Sequence, residues 1–135
     1  ECMSIYFTPQ DANRILPEVK KLFSSITIQK NKVIKLQEEL QRMVNAGTKF
    51  TPFITKKQEL NKAVFRLYET IAEFENKGVM IKSVDEGLLD FPSLRFDEEV
   101  WLCWKEGENE IKFWHRKDEG FMGRKPLATT NIIDR

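Results

Sequence analysis

The chain has 135 residues, of which 41% are hydrophobic and 32% are charged, and its formal net charge is +1. This length is that of a single domain, and the near-neutral charge excludes a strong overall attraction to nucleic acid or to a membrane surface. No apolar run approaches the roughly 18 residues that cross a bilayer, and the N-terminus lacks the layout of a signal peptide. We therefore expect a cytoplasmic protein with no membrane partner, folded as one domain over residues 1–135.

A helix-start signal lies near the N-terminus. Thr8 can cap a helix, Pro9 suits the first helical position, and Asp11 places a negative charge in the first turn. These residues predict a short first helix that ends near Leu16. Pro17 lacks a backbone donor, so it is expected to break or kink this helix, or to begin the next one.

Two long apolar repeats follow, separated by a stop signal at residues 45–48. Their spacing alternates between three and four residues, which is typical of helices that pack as a coiled coil. The sequence therefore predicts an antiparallel helical hairpin, which we place at residues 8–78. The repeat positions are Val19, Leu22, Ile26, Gln29, Val33, Leu36, Leu40 and Met43, followed by Leu60, Val64, Leu67, Ile71 and Phe74.

Four large apolar residues lie outside these repeats, namely Phe23, Ile34, Phe65 and Tyr68. Two helices alone cannot bury them, so either the C-terminal part of the chain or a second subunit must cover them. We expect a homodimer formed through the helices.

After Gly78 the pattern changes to that of short strands. Residues 79–81, 99–105 and 110–116 are predicted strands, the last two forming a hairpin around residues 106–109. Phe91 and Pro92 are expected to end any regular element. Residues 79–127 should thus form a small antiparallel β-unit with a Gly/Arg loop, and residues 128–135 a loose tail. The fold class is α+β.

Residues 87–127 hold the most distinctive chemistry. They contain all three tryptophans, the single histidine and four of the six glycines. The two cysteines, Cys2 and Cys103, do not resemble a disulfide framework, and a sulfur-based zinc site would need more ligands than these two.

Several motifs resemble those of an uncharacterised family of small bacterial and archaeal proteins, a domain of unknown function. The motifs are Gly87-Leu88-Leu89-Asp90-Phe91-Pro92, Cys103-Trp104, Phe113-Trp114-His115 and Gly120-Phe121-Met122-Gly123-Arg124-Lys125-Pro126-Leu127. Ser83 departs from the pattern, because related sequences often have an acid there, and it is not counted in any site. The resemblance brings no activity, but it implies that Asp90, His115 and Arg124 form one constellation.

His115 can ligate a metal, act as a general base, or serve as a structural hydrogen-bonding residue. A divalent metal, if bound, would use His115 with Asp90 and Glu119, completed by water or across a dimer interface. The alternative is a histidine whose ring bonds to Asp90 or to the backbone. No catalytic residue is assigned.

The remaining candidates for ligand binding are Arg124, Trp104 and Trp114, beside Asp90 and His115. A guanidinium can hold a carboxylate or phosphate by two bonds, but it can also form an internal salt bridge to Asp90 or Asp118. The tryptophans can stack on a planar ligand, but in a small β-unit they more often form the core.

Three functions remain open from the sequence. The first is a binding or scaffolding protein that associates through its helices and presents the β-unit to a small anionic ligand or a protein partner. The second is a metal-dependent hydrolase centred on His115. The third is a weak nucleic-acid binder that uses the helical half, where 13 Lys and Arg face 9 Asp and Glu within residues 1–78. The acids beside the strands weigh against nucleic acid as a partner.

Overall fold

The computed structural model describes residues 5–127. Two helices, α1 (Pro9–Asn45) and α2 (Phe50–Glu75), precede the strands β1 (Met80–Ser83), β2 (Leu88–Arg95), β3 (Glu98–Lys105), β4 (Phe113–Arg116) and β5 (Lys125–Pro126). This confirms the α+β fold class. Neither helix combines the length and the apolar character that a membrane span requires. The predicted loose tail lies outside the described residues.

The chain divides into two compact units. Residues Lys20–Phe74 form a helical unit, and among the described residues 5–19 join 75–127 in a β-unit. Helix α1 runs through this division, so its first turns belong to the β-unit.

In the helical unit, α1 and α2 form the predicted antiparallel hairpin. Gln29 Nε2 on α1 donates to Thr70 Oγ1 on α2 at 2.9 Å. Nearer the loop, Lys56 on α2 pairs with Glu39 on α1 at 3.2 Å. Later positions on α1 thus contact earlier positions on α2, as they do in an antiparallel pair. The apolar repeat supplies the interior, as its spacing predicts. The buried members of this repeat at the loop end are Val33, Leu36, Leu40 and Leu60, and Ala63 is buried with them.

The separate short helix expected before Pro17 does not form, because α1 continues through that proline. Ala12, Leu16 and Val19 are all buried, at 0–2% exposure, and their spacing places them on one helical face. A break at Pro17 would turn part of this face away from the core, so the burial of the continuous face outweighs the hydrogen bond that proline cannot make. The expected cap at Thr8 does form, since Thr8 Oγ1 accepts a hydrogen bond from the Asp11 backbone N–H at 3.0 Å.

The five strands form one antiparallel sheet in the order β1-β2-β3-β4-β5. The expectation that Phe91 and Pro92 end regular structure was wrong, because β2 runs through both. Proline cannot donate to a neighbouring strand, but β1 pairs only as far as Asp90, so no strand hydrogen bond is lost at Pro92. The Pro92 carbonyl accepts a hydrogen bond from the Phe7 backbone N–H at 2.7 Å.

A tight turn that the sequence did not predict joins β2 to β3. Arg95 pairs with Glu98, which leaves Phe96 and Asp97 as a two-residue loop with φ of 52° and 65°. Both residues adopt the left-handed conformation that such turns require, and glycine or asparagine usually occupies these positions. This turn fixes the register of the whole hairpin, including the pairing of Asp90 with Cys103.

The sheet has two distinct faces, because side chains alternate along each strand. One face, here called the apolar face, carries fully buried side chains, including Leu89, Phe91, Val100 and Leu102. The opposite face, here called the polar face, carries Asp90, Cys103 and His115. Burying polar groups is costly unless they bond one another. The buried polar groups of this face are therefore the candidates for a functional site.

Gly87 is expected to be the least replaceable glycine of the β-unit. Its φ is +69°, and a Cβ there would lie 2.6 Å from Glu106 Cβ. Gly87→Ala therefore combines left-handed strain with overlap and should lower the free energy of unfolding by about 2–4 kcal/mol.

Gly78→Ala is the matched control, because its φ is +85° and its nearest contacts are ordinary at 3.5 Å; it should cost about 1 kcal/mol. Urea unfolding followed by tryptophan fluorescence measures both, and equal losses would contradict the steric argument.

Candidate functional site

Three ligand-type side chains meet on the polar face of the sheet. Asp90 on β2 lies directly across from Cys103 on β3, and His115 on β4 lies across from Trp101, two residues from Cys103. The carboxylate, thiol and imidazole ligand atoms all lie within 4.8 Å of one another. Their exposure is only 1–2%. We refer to these three residues as the Asp-Cys-His cluster.

The hydrogen bonds of His115 determine which ring nitrogen carries a proton. Nδ1 lies 2.9 Å from the Arg116 carbonyl oxygen, and a carbonyl can only accept, so Nδ1 must be the donor. In the neutral ring, Nε2 then carries the lone pair. Nε2 faces Asp90 Oδ1 at 3.2 Å, so one further proton must lie between these two atoms, on the carboxyl or on the ring.

Asp90 is a carboxyl group that water does not reach. Burial raises its pKa above the ordinary 3.8, while His115, Lys82 and the Cys103 thiol oppose this rise. Its Oδ2 atom is buried and accepts no well-formed hydrogen bond from residues 5–127. A buried acceptor without a donor costs about 1–3 kcal/mol, so this oxygen is the least satisfied member of the cluster.

Cys103 is held as a thiol. Burial, followed by the nearby Asp90 charge, raises its pKa from 9.0 to about 12, against the opposing effect of Arg124. Arg124 Nη1 lies 4.0 Å from the sulfur. Such a thiol is a poor nucleophile, but a metal ion can displace its proton.

Arg124 lies beside the cluster, but its charge is already paired. Nη2 contacts Glu108 Oε2 at 2.5 Å, and the arginine side chain is 10% exposed. The guanidinium also lies over the Phe113 ring at 3.9 Å and the Phe121 ring at 4.5 Å. The internal salt bridge therefore forms with Glu108, which the sequence did not indicate as the partner.

Glu119 does not join the cluster. Its Oε1 accepts from the Arg116 backbone N–H at 3.0 Å and from Lys125 Nζ at 2.8 Å. These contacts, with the Lys125 hydrogen bond first among them, hold the Glu119 pKa below its ordinary value. Its carboxylate thus stabilises the turn after β4.

Trp104 and Trp114 lie on the apolar face, opposite the cluster. Trp104 is 2% exposed, and its indole N–H donates to the Glu108 carbonyl at 2.9 Å. Trp114 is 9% exposed, with Arg95 at 4.6 Å and Lys125 at 5.1 Å from its ring. The structure therefore brings Asp90 and His115 together but places both tryptophans in packing positions.

Cys103 is the cluster member that sequence reasoning missed. The signal was present, because a turn at Phe96 and Asp97 pairs residue 90 with residue 103 across β2 and β3. The turn lacks the glycine that would have revealed it, and Pro92 appeared to end the strand.

The Cys103 thiol should weaken the protein at alkaline pH. In the unfolded chain the thiol ionises near pH 9, whereas in the folded chain its pKa is about 12. Between these values the folded state binds more protons, so the free energy of unfolding falls as pH rises, by up to about 1.4 kcal/mol per pH unit.

Urea unfolding at pH 8 and pH 10, with chelator and reductant present, measures this loss. In Cys103→Ala the free energy of unfolding should fall by about 1 kcal/mol less between pH 8 and pH 10 than in the parent, since all other groups titrate alike in both proteins. An identical loss in both proteins would contradict the assignment.

The comparisons with known proteins give a family without an activity. A family model described as an uncharacterized conserved protein (DUF2203) matches residues 5–127. No curated protein and no solved structure matches the chain. The match spans both helices and all five strands, and so includes the Asp-Cys-His cluster. The chain belongs to the DUF2203 family of uncharacterised conserved proteins.

Proposed function

We propose that the protein is a metal-binding module whose β-unit holds a divalent transition metal through Asp90, Cys103 and His115. The observation that carries this proposal is the approach of three different ligand atoms to within 4.8 Å of one another in a buried site. Ligand atoms around a tetrahedral zinc ion lie roughly 3.3–3.8 Å apart, because the bonds are about 2.0–2.3 Å long. The 3.2 Å between His115 Nε2 and Asp90 Oδ1 lies just below this range.

The charges support the same conclusion. Without metal, the cluster holds one thiol proton and one proton between Asp90 and His115, and its net charge is zero. With a divalent cation, a thiolate, a carboxylate and a neutral imidazole, the net charge is again zero. Because an uncompensated charge in a buried site is very costly, an exchange of about two protons for one divalent ion is the favoured way to fill the cluster.

The donor set also selects the class of metal. One sulfur, one nitrogen and one carboxylate oxygen suit zinc, cobalt or ferrous iron, whereas magnesium and calcium prefer oxygen alone. The Asp90 Oδ2 atom, which lacks a well-formed bond among residues 5–127, offers a further oxygen to the same ion. A cytoplasmic location fits this proposal, since a reducing compartment keeps the Cys103 thiol available.

Burial of the cluster favours binding over hydrolysis. A hydrolytic metal keeps an open position that substrate and water can reach, whereas Asp90, Cys103 and His115 are 98–99% buried. A small anion is also disfavoured, because the positive charge of Arg124 is neutralised by Glu108 at 2.5 Å. Nucleic-acid binding, the third alternative, loses support because Lys56 of the helical half is already paired with Glu39 and Glu59.

Cobalt titration is the experiment that tests the metal site. The chelator-treated protein should bind about one Co²⁺, with the near-ultraviolet charge-transfer absorption of a cobalt–thiolate bond and release of about two protons. Zinc should displace the cobalt. Cys103→Ser should lose the charge-transfer band, and Asp90→Asn should weaken binding more than about a hundredfold.

Asp90→Asn is a suitable variant, because its amide can donate to His115 Nε2 and so keep the folded contact. Glu119→Gln is the matched control: it also loses a carboxylate near β4 but should bind cobalt like the parent. Failure of the parent to bind cobalt or zinc would leave the cluster a hydrogen-bonded structural element, and an equal loss in Glu119→Gln would remove the assigned ligands.

We also propose that the helical unit forms a homodimer. On α2, Phe65 and Tyr68 lie one turn apart and are 63% and 66% exposed, and Ile34 on α1 is 39% exposed. Large aromatic side chains one turn apart on a helix are more typical of an interface than of a solvated face. A second copy of the same helices offers the same kind of apolar surface, as an isologous contact requires.

Sedimentation velocity over a range of concentrations tests the dimer. The parent should sediment with twice the chain mass of 15.9 kDa, and Phe65→Ser with Tyr68→Ser should shift it toward the monomer. Met122→Ser is the control, since this apolar residue is 93% exposed but lies in the β-unit. A parent that stays monomeric throughout would overturn the proposal.

A further inference from the structure

A groove lies beside the Asp-Cys-His cluster in the β-unit. Its two adjoining lobes, of about 380 and 400 Å³, share Trp101, Pro92, Gly78 and Glu75 in their lining. Trp101 and Cys103 lie on the same sheet face, so the groove and the cluster occupy neighbouring positions of the polar face. Trp101 is 9% exposed, so most of its side chain is packed and its remaining surface lines the groove.

A positive charge from the chain itself already occupies this groove. Lys117 Nζ lies 4.1 Å from the centre of the Trp101 ring and 3.7 Å from Glu99 Oε1. Lys82 Nζ approaches the same ring at 5.5 Å. An indole face attracts cations through its negative quadrupole, so two lysines on one ring mark it as a cation-binding surface.

The acidic groups of the groove are arranged to reinforce this preference. Glu99 is held in place by Tyr6, whose hydroxyl donates to Oε2 at 2.5 Å. Glu75 lines both lobes, and its carboxylate has no ion-pair partner among the described residues. Among the lining residues, Lys117 is the only basic side chain against these two acids, while Lys82 approaches the ring from outside the lining, so the lining itself carries one net negative charge.

We infer that this groove binds a small molecule carrying a quaternary ammonium group, with Lys117 as the internal occupant that the ligand displaces. The indole face and the apolar walls at Ile5, Pro92 and Met80 suit the methyl groups of such a cation, and the two carboxylates suit its charge. A primary ammonium ion is more strongly hydrated and gains less from an apolar wall. The inference is independent of the metal site, because no lining residue is a cluster member.

Choline and its neutral isostere 3,3-dimethyl-1-butanol are the probes that test the groove. The two have the same shape and differ only in charge. Isothermal titration should detect choline binding to the parent and about tenfold tighter binding to Lys117→Ala, which vacates the groove. Glu75→Gln in the Lys117→Ala background should reverse most of this gain.

Lys112→Ala is the matched control, because this exposed lysine lies outside the lining and its removal should leave choline binding unchanged. Equal binding of the neutral isostere would show that the groove selects apolar shape alone and would overturn the inference. Lack of any gain in Lys117→Ala, in protein whose tryptophan fluorescence is that of the folded parent, would overturn it as well.

Discussion

The hydrogen bond from His115 Nδ1 to the Arg116 carbonyl is the constraint on which the rest of the site depends. It leaves Nε2 without its own proton in the neutral ring, facing a carboxylate oxygen 3.2 Å away. In a site that water does not reach, these two atoms must share a proton or a metal ion, because two lone pairs at that distance repel. The Cys103 thiol adds a third ligand atom to the pair formed by Asp90 and His115.

The sheet explains why such a set can exist in a small protein. Its apolar face buries Leu89, Phe91 and Leu102 completely and supplies the hydrophobic stabilisation of the unit. The polar face buries groups that contribute little to stability unless they are bonded or ligate something. Asp90 has a raised pKa and a second oxygen without a well-formed bond among residues 5–127, and such a group more often serves function than stability.

The helices could be predicted more completely than the strands. Their apolar repeat is local, and every position that it identified is buried or partly buried. The effect of the prolines was predicted wrongly in both parts of the chain. The energetic cost of a proline depends on whether the N–H that it lacks would have had a hydrogen-bond partner. At Pro92 the neighbouring strand had already ended, and at Pro17 the burial of one continuous helical face outweighed the lost bond.

By itself, the sequence determined the fold class and the helical hairpin, since periodicity is a local property, whereas the grouping of Asp90 with His115 was implied by the family resemblance. Only the tertiary structure decided which carboxylates and aromatic rings belong to the site. It brought Cys103 in and left Glu119 out, and it placed Trp104 and Trp114 on the apolar face while Trp101 lines the groove. The physical reason is strand register: a turn at Phe96 and Asp97 sets which residues face each other across the sheet, and a shift of one residue would move every side chain of the strand to the other face.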